Sequence, residues 1–291
     1  MESRRTVLRC GLCAGVIAVA GFLVSAGSPA PVRATPAALR RHAPIRIHTQ
    51  RERGVLDSSN WAGYAVTAAN GAVTQATGSW TVPNVKCSAA PTGYAAFWVG
   101  IDGFSSNTVE QIGTDSDCVS LNGRQTDTPT YYAWYEFYPS GSYLIEFPRA
   151  VQPGDFITAA VKYVGKTSNP RHGGTADQFT VTITDVTQLS ETFSVTSSVP
   201  GAGMSSAEWI AEAPCCGRGN LVLPLSDFGY VSFSSAGATI GGTTAAIGGS
   251  TANLQNITMV GEKSSTLVKA QPSSPPGTNG SFGVTWLNPG P

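Results

Sequence analysis

The amino-acid sequence predicts an all-β fold, either a sandwich or a barrel. Gly, Ser, Thr, Val and aromatic residues are abundant, and long segments with a helical apolar period are missing. Short runs of alternating polarity, separated by Gly, Pro, Asn and Ser, recur instead, which is typical of such folds. About 235 of the 291 residues would form the folded body, enough for one sizeable core.

Residues 1–30 have the layout of a secretory signal. A basic start is followed by an apolar run at 10–26 and then by small residues and prolines. Residues 3–9 also resemble a twin-arginine export signal. The apolar run, about 17 residues, is marginal for a membrane span, and no stop-transfer pattern follows it. We therefore expect a secreted, extracellular protein with no membrane attachment after signal removal.

Residues 31–55 carry six arginines and two histidines against one glutamate, without a clear apolar period, which is typical of a linker or pro-segment. Nine of the 18 Lys and Arg residues but two of the 18 Asp and Glu residues lie in 1–55, which leaves a net charge of −7 from residue 56 onward. This asymmetry suggests that the basic arm lies over an acidic cleft; an arm that binds nothing in particular is equally compatible. An acidic surface argues against nucleic acid as a partner.

Four cysteines remain beyond the signal segment: Cys87, Cys118, Cys215 and Cys216. An even number in an exported protein predicts disulfides. A Cys87–Cys118 bond would close a loop of moderate length, and Cys215 and Cys216 would then form a vicinal bond. Free thiols and a crossed pairing are the alternatives.

The predicted strands follow one another from residue 58 to residue 286. Their ranges are 58–67, 73–83, 94–102, 108–113, 130–139, 154–164, 177–184, 205–212, 221–225, 229–234, 254–260 and 281–286. The loop at 166–176 carries His172, the one histidine of the predicted folded body, and a Pro/Ser/Gly loop at 271–279 precedes the last strand.

The strand at 130–139 is the most aromatic stretch, and its alternation separates two faces. The face with Tyr135 and Phe137 is expected in the core. The other is expected to form a cleft wall, because its rings offer flat apolar area and polar tips; a second core face with a hydrogen-bonded Glu136 is the alternative. The members of the predicted cleft wall are Tyr132, Trp134, Glu136 and Tyr138.

Residues 205–212 hold two carboxylates four residues apart in an apolar frame. In a strand, Glu208, Ile210 and Glu212 share one face, and Trp209 lies on the other. A carboxylate on an apolar sheet face is costly unless it is paired or used. A functional carboxylate and an exposed strand with solvated glutamates are both compatible with this stretch.

The remaining residues exclude several chemistries. A Ser-His-Asp or Cys-His site would have to use His172, whose loop offers no adjacent nucleophile. Zinc, dinucleotide and phosphate-loop patterns are missing, so neither a metal nor a cofactor is expected. Asp115 and Asp117 could touch calcium but are interpreted as a solvated turn.

What remains is carboxylate chemistry on a β scaffold. One version is hydrolysis of a glycoside by paired acids, with Glu136 and Glu212 as candidates. The other is hydrolysis of a peptide, with a glutamate as general base on water and an amide such as Gln111 steadying the oxyanion. An amide donates a hydrogen bond at any pH and does not force two carboxylates to share a proton.

Five motifs stand in order along the chain. They are Ser59-Asn-Trp-Ala-Gly63, Trp98-Val-Gly-Ile-Asp-Gly103, Val109-Glu-Gln-Ile-Gly113, Tyr132-Ala-Trp-Tyr-Glu-Phe-Tyr-Pro139 and Ala207-Glu-Trp-Ile-Ala-Glu212. Together they resemble the glutamic peptidases, or eqolisins, over about residues 58–287. By that resemblance the fold is a sandwich of two bent antiparallel seven-stranded sheets, of the jelly-roll or lectin-like kind.

The resemblance implies a catalytic pair of Gln111 and Glu212, with Glu208 as a neighbour. Glu212 would activate water as general base, Gln111 would stabilise the oxyanion, and no acyl-enzyme would form. Glu136 would support the cleft, whereas Tyr132 stands where the fungal pattern can carry an acid. Positions that line or brace the family's cleft are matched by Trp61, Asp102 and Trp134.

The resemblance further implies an acid-acting endopeptidase that resists pepstatin, cleaves proteins or peptides, and is made as a zymogen inhibited by its own basic pro-segment. A monomer is expected. The domains would be a signal peptide at 1–30, a pro-segment at 31–55 and a glutamic peptidase domain at 56–291. The alternative function is a carbohydrate-binding or glycan-cleaving β-sandwich. Its closely set acid pair, of the type Glu-x-Asp-x-x-Glu, is missing from the sequence.

Overall fold

A computed structural model describes residues 32–36, 42–122, 124–168, 173–188, 191–215, 221–248, 253–273 and 276–290. The predicted signal peptide, His172 and Cys216 lie outside these residues, so the expectations for them stay predictions. Within the described ranges, no helix is long and apolar enough to cross a membrane.

Strands make up the fold, and the described residues contain no α-helix, so the all-β prediction is confirmed. In chain order the strands are β1 (Arg33–Pro36), β2 (Ile47–Glu52), β3 (Val55–Ser58), β4 (Trp61–Thr67), β5 (Val73–Thr81), β6 (Ala96–Ile101), β7 (Val109–Val119), β8 (Gln125–Tyr138), β9 (Tyr143–Glu146), β10 (Phe156–Ser168), β11 (Thr175–Asp185), β12 (Glu191–Val199), β13 (Ser206–Glu212), β14 (Tyr230–Ile240), β15 (Thr243–Ala246), β16 (Leu254–Gly261), β17 (Ser264–Pro272) and β18 (Phe282–Trp286).

Two predictions about local structure are wrong. The run at 221–225 makes isolated bridges, from Leu225 to Tyr94 and from Val222 to Cys215, rather than a strand. The solvated turn at Asp115 and Asp117 is part of β7, which continues to Val119 because β6 and β8 flank it on both sides. Both aspartates are buried there.

Hydrogen bonding arranges the strands along two arms. One arm runs β9-β8-β7-β6-β13-β4-β16, and the other runs β12-β11-β10-β5-β14-β18-β17. Neighbours within each arm are antiparallel, and β3 adds to β16 in parallel. Because β16 also pairs with β17, the ladder continues from one arm into the other. This arrangement is consistent with a β-sandwich; the count of seven strands in each of two sheets stays a prediction.

Strand register gives the first arm two apolar faces. Trp209, Val99 and Ile112 pair across β13, β6 and β7 and belong to the main core, which also contains Phe179 of the second arm. Trp98 and its paired neighbours lie on the opposite face, in a second apolar cluster. The alternations predicted for 130–139 and 205–212 are confirmed, since Tyr135 and Trp209 belong to the main core and Trp134 and Ile210 to the second cluster.

The described parts of residues 31–55 are paired with the folded body. β1 pairs with β9, and β2 pairs with β3. Residues 42–46, which precede β2, lie on the face with the second apolar cluster, where their backbone is bound. Cys87 and Cys118 form a disulfide, as predicted, with their Cα atoms 5.3 Å apart. The vicinal bond stays a prediction.

Candidate active site

Polar and aromatic side chains meet on the second face in three rows, because directly paired residues of neighbouring strands share a face. Across β13, β6, β7 and β8, the rows are Glu208, Gly100, Gln111 and Glu136; Ile210, Trp98, Gly113 and Trp134; and Glu212, Ala96, Asp115 and Tyr132. Register therefore brings most of the predicted site residues to one surface.

Two glycines of β6 and β7 make room for Trp98 and its backbone. A Cβ on Gly113 would overlap the carbonyl oxygen of Phe97 and lie 2.6 Å from Trp98 Cβ. A Cβ on Gly100 would lie 2.8 Å from Trp98 Cζ3. Distances this short leave no space for a methyl group, so Gly113 allows the backbone of β6 to approach closely and Gly100 makes room for the indole of Trp98.

Glu212 is fully buried, and one of its two oxygens is engaged. Oε2 accepts a hydrogen bond from Trp98 Nε1 at 2.8 Å and lies 3.2 Å from His42 Nδ1. Oε1 has no partner among the described protein atoms. Burial raises the pKa of Glu212 well above its ordinary value; the bond from Trp98 opposes this shift, and the charges of Glu136 and Asp115 add to it.

Gln111 reaches the same segment from β7. Its Nε2 donates to the carbonyl oxygen of His42 at 2.6 Å and lies 3.5 Å from Glu136 Oε2. Glu136 Oε2 in turn accepts the backbone N–H of His42 at 2.9 Å. Gln111 and Glu212 thus both contact His42. Gln111 binds its backbone carbonyl, and Glu212 lies against its imidazole ring.

His42 is the residue of the site that sequence reasoning missed, because it falls in the predicted linker. Its ring stacks on Trp134, with centroids 3.5 Å apart and planes 7° from parallel. Nε2 lies 3.9 Å from Asp115 Oδ2, on the side away from Glu212. Burial lowers the pKa of the imidazole well below its ordinary value. The signal that pointed here was the charge asymmetry between arm and body.

Trp61 and Asn60 bind the backbone of Ala43 and Pro44, the two residues that follow His42. Trp61 Nε1 donates to the carbonyl oxygen of Ala43 at 3.2 Å. Asn60 Nδ2 donates to the carbonyl oxygen of Pro44 at 3.2 Å. Asn60 and Trp61 therefore bind the backbone of this segment rather than its side chains.

Asp115, on β7, places a carboxyl group next to Tyr132 on β8. Its Oδ2 accepts a hydrogen bond from the Tyr132 hydroxyl at 2.7 Å, and the same hydroxyl lies 2.9 Å from Asp117 Oδ2. Burial raises the pKa of Asp115 to about 7, and the bond from Tyr132 opposes the shift.

Two of the predicted cleft residues lie outside this network. Asp102 accepts the backbone N–H groups of Gly203 and Met204, each at 2.7 Å, and so fixes the loop before β13. Glu208 lies in the first row with no hydrogen-bond partner for either oxygen among the described protein atoms, and burial raises its pKa well above the ordinary value. Across the described ranges, no cluster of three or more His, Cys, Asp or Glu residues could hold a metal ion.

The geometry suits hydrolysis of a peptide bond. A peptide carbonyl accepts a hydrogen bond from an amide, and a carboxyl group with one unengaged oxygen lies against the side chain of the same residue. An oxyanion donor and a general base for water are the two elements that such a reaction requires.

Comparison with known proteins adds the family context. The chain matches the family model described as the Peptidase A4 family over residues 59–277. It is 34% identical to aspergillopepsin-2 of Aspergillus niger over 221 residues, which cover 69% of this chain and 70% of that protein. Two solved structures of scytalido-glutamic peptidase, each with a transition-state analogue, are similar with TM-scores of 0.60 and 0.57 and identities of 22% and 20%. Each covers 79% of this chain and 98% of the solved one, and supports the fold.

Proposed function

Because the chain belongs to the Peptidase A4 family and is a glutamic endopeptidase, we propose that Gln111 and Glu212 form its catalytic dyad. The observation that supports this most is the approach of both side chains to one peptide residue. Gln111 donates to the carbonyl of His42, and Glu212 borders the same residue with Oε1 unengaged.

In the proposed mechanism, a water molecule occupies the position beside Glu212 Oε1. Ionised Glu212 takes a proton from this water as the oxygen attacks the carbonyl carbon. The Gln111 amide stabilises the oxyanion, and Glu212 then returns the proton to the leaving amine. Hydrolysis is direct, without an acyl-enzyme.

Two further side chains position the reacting groups. Glu136 holds the backbone N–H of the residue whose carbonyl is attacked, and Trp98 orients Glu212 through its indole N–H. Gln111 and Glu136 bind peptide backbone, which favours a protein or peptide substrate over a glycan. The signal layout of residues 1–30 supports action outside the cell, and a monomer suffices because every group of this site comes from one chain.

The basic arm acts as the inhibitor of the same site. Residues 42–46 occupy the groups that a substrate backbone would need, so no other carbonyl can reach Gln111 while they are bound. Burial raises the pKa of Glu212, and the His42 ring of this segment lies against its carboxyl group. Removal of the segment would expose Glu212 and lower its pKa, so the base would become ionised at acidic pH.

Digestion of denatured haemoglobin at low pH, with pepstatin present, tests the proposal. Glu212→Gln and Gln111→Ala should each lower kcat by about 10²- to 10⁴-fold, because each removes a group that acts in the transition state. Circular dichroism should show that both variants fold. Gln255→Ala, on β16, is the matched amide control and should keep its activity. Activity of either dyad variant within tenfold of the parent would refute the dyad.

A further inference from the structure

β1 lies at the outer edge of the first arm, next to β9. Among the described strands, β9 pairs with β8 on one side and with β1 on the other. The pairing with β1 is antiparallel and runs from Arg33 opposite Glu146 to Pro36 opposite Tyr143. Without β1, the outer backbone groups of β9 would form an open edge that can accept another strand.

The register places the side chains of β1 on the same two faces as those of the candidate site. Thr35 lies opposite Leu144, which in turn lies opposite Trp134, so Thr35 continues the row of Trp134 on the second face. Ala34 lies opposite Ile145 and packs against the main core. β1 therefore extends, by one strand, the sheet that carries the proposed dyad.

The segment at 42–46 leads away from the same edge. The backbone of His42 is bound by Glu136 of β8 and Gln111 of β7, and the carbonyl of the next residue is bound from β4, farther from β9. Three strand spacings, about 14 Å, separate β7 from β1. Pro36 precedes His42 by six residues, which can span about 20 Å. One extended chain can therefore pair with β9 and also present a carbonyl to Gln111.

We propose that the edge of β9 is an exosite, which is a substrate-binding site remote from the scissile bond. Once residues 31–55 have left the folded body, this edge takes up an extended stretch of the substrate as an added antiparallel strand. The stretch lies six to nine residues before the residue whose carbonyl binds Gln111, as β1 lies before His42. The inference rests on the dyad proposed above and goes beyond it by naming a second substrate site.

Backbone and side chains contribute differently to the exosite. Main-chain hydrogen bonds give strand addition its affinity and do not depend on sequence, which suits an enzyme whose substrates vary. The position of Ala34 faces the main core and takes a small apolar side chain. The position of Thr35 takes a hydroxyl group, since Thr35 Oγ1 donates to Glu146 Oε1 at 3.1 Å. Arg33 is exposed, so its position accepts any side chain.

Two peptides of equal length test the exosite, with active enzyme that intact mass shows to have lost β1. Both contain a sequence that this enzyme cuts in denatured haemoglobin. One carries residues 32–36, placed so that Pro36 is six residues before the residue whose carbonyl is attacked; the control carries Gly and Ser instead. We expect kcat/KM to be roughly tenfold higher with residues 32–36, mainly through a lower KM. Equal kcat/KM for the two peptides would overturn the exosite.

Substitutions in the peptide test the register of the added strand. Ala34→Arg should abolish the gain in kcat/KM, because a long cationic side chain would have to lie against the main core. Arg33→Ala is the matched control and should keep the gain, since this side chain is exposed. A gain that both substitutions remove, or that neither removes, would overturn pairing with β9 in this register.

A double-mutant cycle locates the added strand on β9. Glu146→Ala in the enzyme should lower the gain a few-fold for the parent peptide but not for the Thr35→Val peptide, because their shared hydrogen bond can be lost only once. Arg149→Ala, an exposed residue just after β9, is the control and should affect the two peptides equally. An equal loss in both peptides with Glu146→Ala would place the strand elsewhere and overturn the proposal.

The outcomes separate this inference from the proposed function, because the control peptide reports on the dyad alone and the ratio of the two peptides reports on the exosite. An enzyme that cuts both peptides at equal rates overturns the exosite and leaves the dyad standing. An enzyme that digests neither haemoglobin nor either peptide overturns the proposed function and the exosite together.

Discussion

Glu208 and Glu212 lie four residues apart on one face of β13, and both are fully buried, but their surroundings differ. Glu212 accepts a bond from Trp98 and faces His42, whereas neither oxygen of Glu208 has a partner among the described protein atoms. Burial raises the pKa of both. Burial and a raised pKa therefore do not by themselves distinguish a catalytic carboxyl group; the neighbouring donors do.

The orientation of one indole produces much of this difference. The six-membered ring of Trp98 lies over Gly100, in the row of Glu208, and its N–H points to Glu212. Trp98 thus covers one row with apolar surface and gives the other a hydrogen-bond donor. The two glutamates can be told apart by experiments that act on each carboxyl group and on this ring.

The largest expected effect is the contrast in activity between two isosteric variants. Glu212→Gln should lower kcat by about 10²- to 10⁴-fold, because an amide cannot take a proton from water. Glu208→Gln should keep kcat within about tenfold, because Glu208 makes no hydrogen bond to Gln111, Glu212 or His42. Steady-state kinetics on one peptide substrate measures both. Comparable losses in the two variants would mean that Glu208 shares the chemistry.

Sequence patterns predicted the faces of the strands, and the charge asymmetry pointed to the basic arm as an occupant of the cleft, but no pattern singled out His42. Alternation predicted that Trp134 and Glu136 share one face of their strand and that Glu208 and Glu212 share one face of theirs, because a strand has a period of two. The register of the paired strands then brings these two faces to the same side of the sheet. The pairing of Gln111 with Glu212 was predicted from the family resemblance, because residue spacing along one strand does not show which strands are neighbours. His42 was missed because the short arm has no apolar period, and its contacts depend on residues about 70 to 170 positions away.

The next largest effect is expected in the free energy of unfolding, which should depend on pH through Glu208. Below about pH 4 Glu208 is protonated in both states, and above that pH the unfolded chain ionises first because burial raises the folded pKa. Stability should therefore fall as pH rises from 4 towards 7. In a Glu212→Gln background, which prevents self-digestion, Glu208→Gln should reduce this fall by about 1–3 kcal/mol.

Urea unfolding at pH 4 and pH 7 measures this difference. Glu52→Gln, an exposed glutamate of β2, serves as the control and should leave the pH dependence unchanged. An identical pH dependence with and without Glu208 would show that the carboxyl group is solvated or paired in solution.

Trp98→Phe removes the donor to Glu212 and keeps a ring over the sheet. We expect kcat to fall about tenfold. The acidic limb of the kcat/KM profile should move to higher pH, because the bond from Trp98 opposes the rise in the pKa of Glu212. Trp209→Phe is the matched control, since its indole N–H binds the Thr77 carbonyl on the core face at 2.7 Å. An acidic limb that stays in place would remove Trp98 from the catalytic role.

The smallest effect is expected for Gly100→Ala, which leaves every hydrogen-bonding group intact. The new methyl group would lie 2.8 Å from Trp98 Cζ3, so the ring must tilt and its N–H must turn away from Glu212. We expect a few-fold loss of kcat, a small shift of the acidic limb to higher pH, and about 1–3 kcal/mol of lost stability. Gly78→Ala crowds Trp209 Cδ1 at the same distance on the core face, and should lower stability without moving the limb. If the two glycine variants have the same pH profile, the tilt of Trp98 does not tune Glu212, and the difference between the two glutamates then rests on the His42 segment rather than on the sheet.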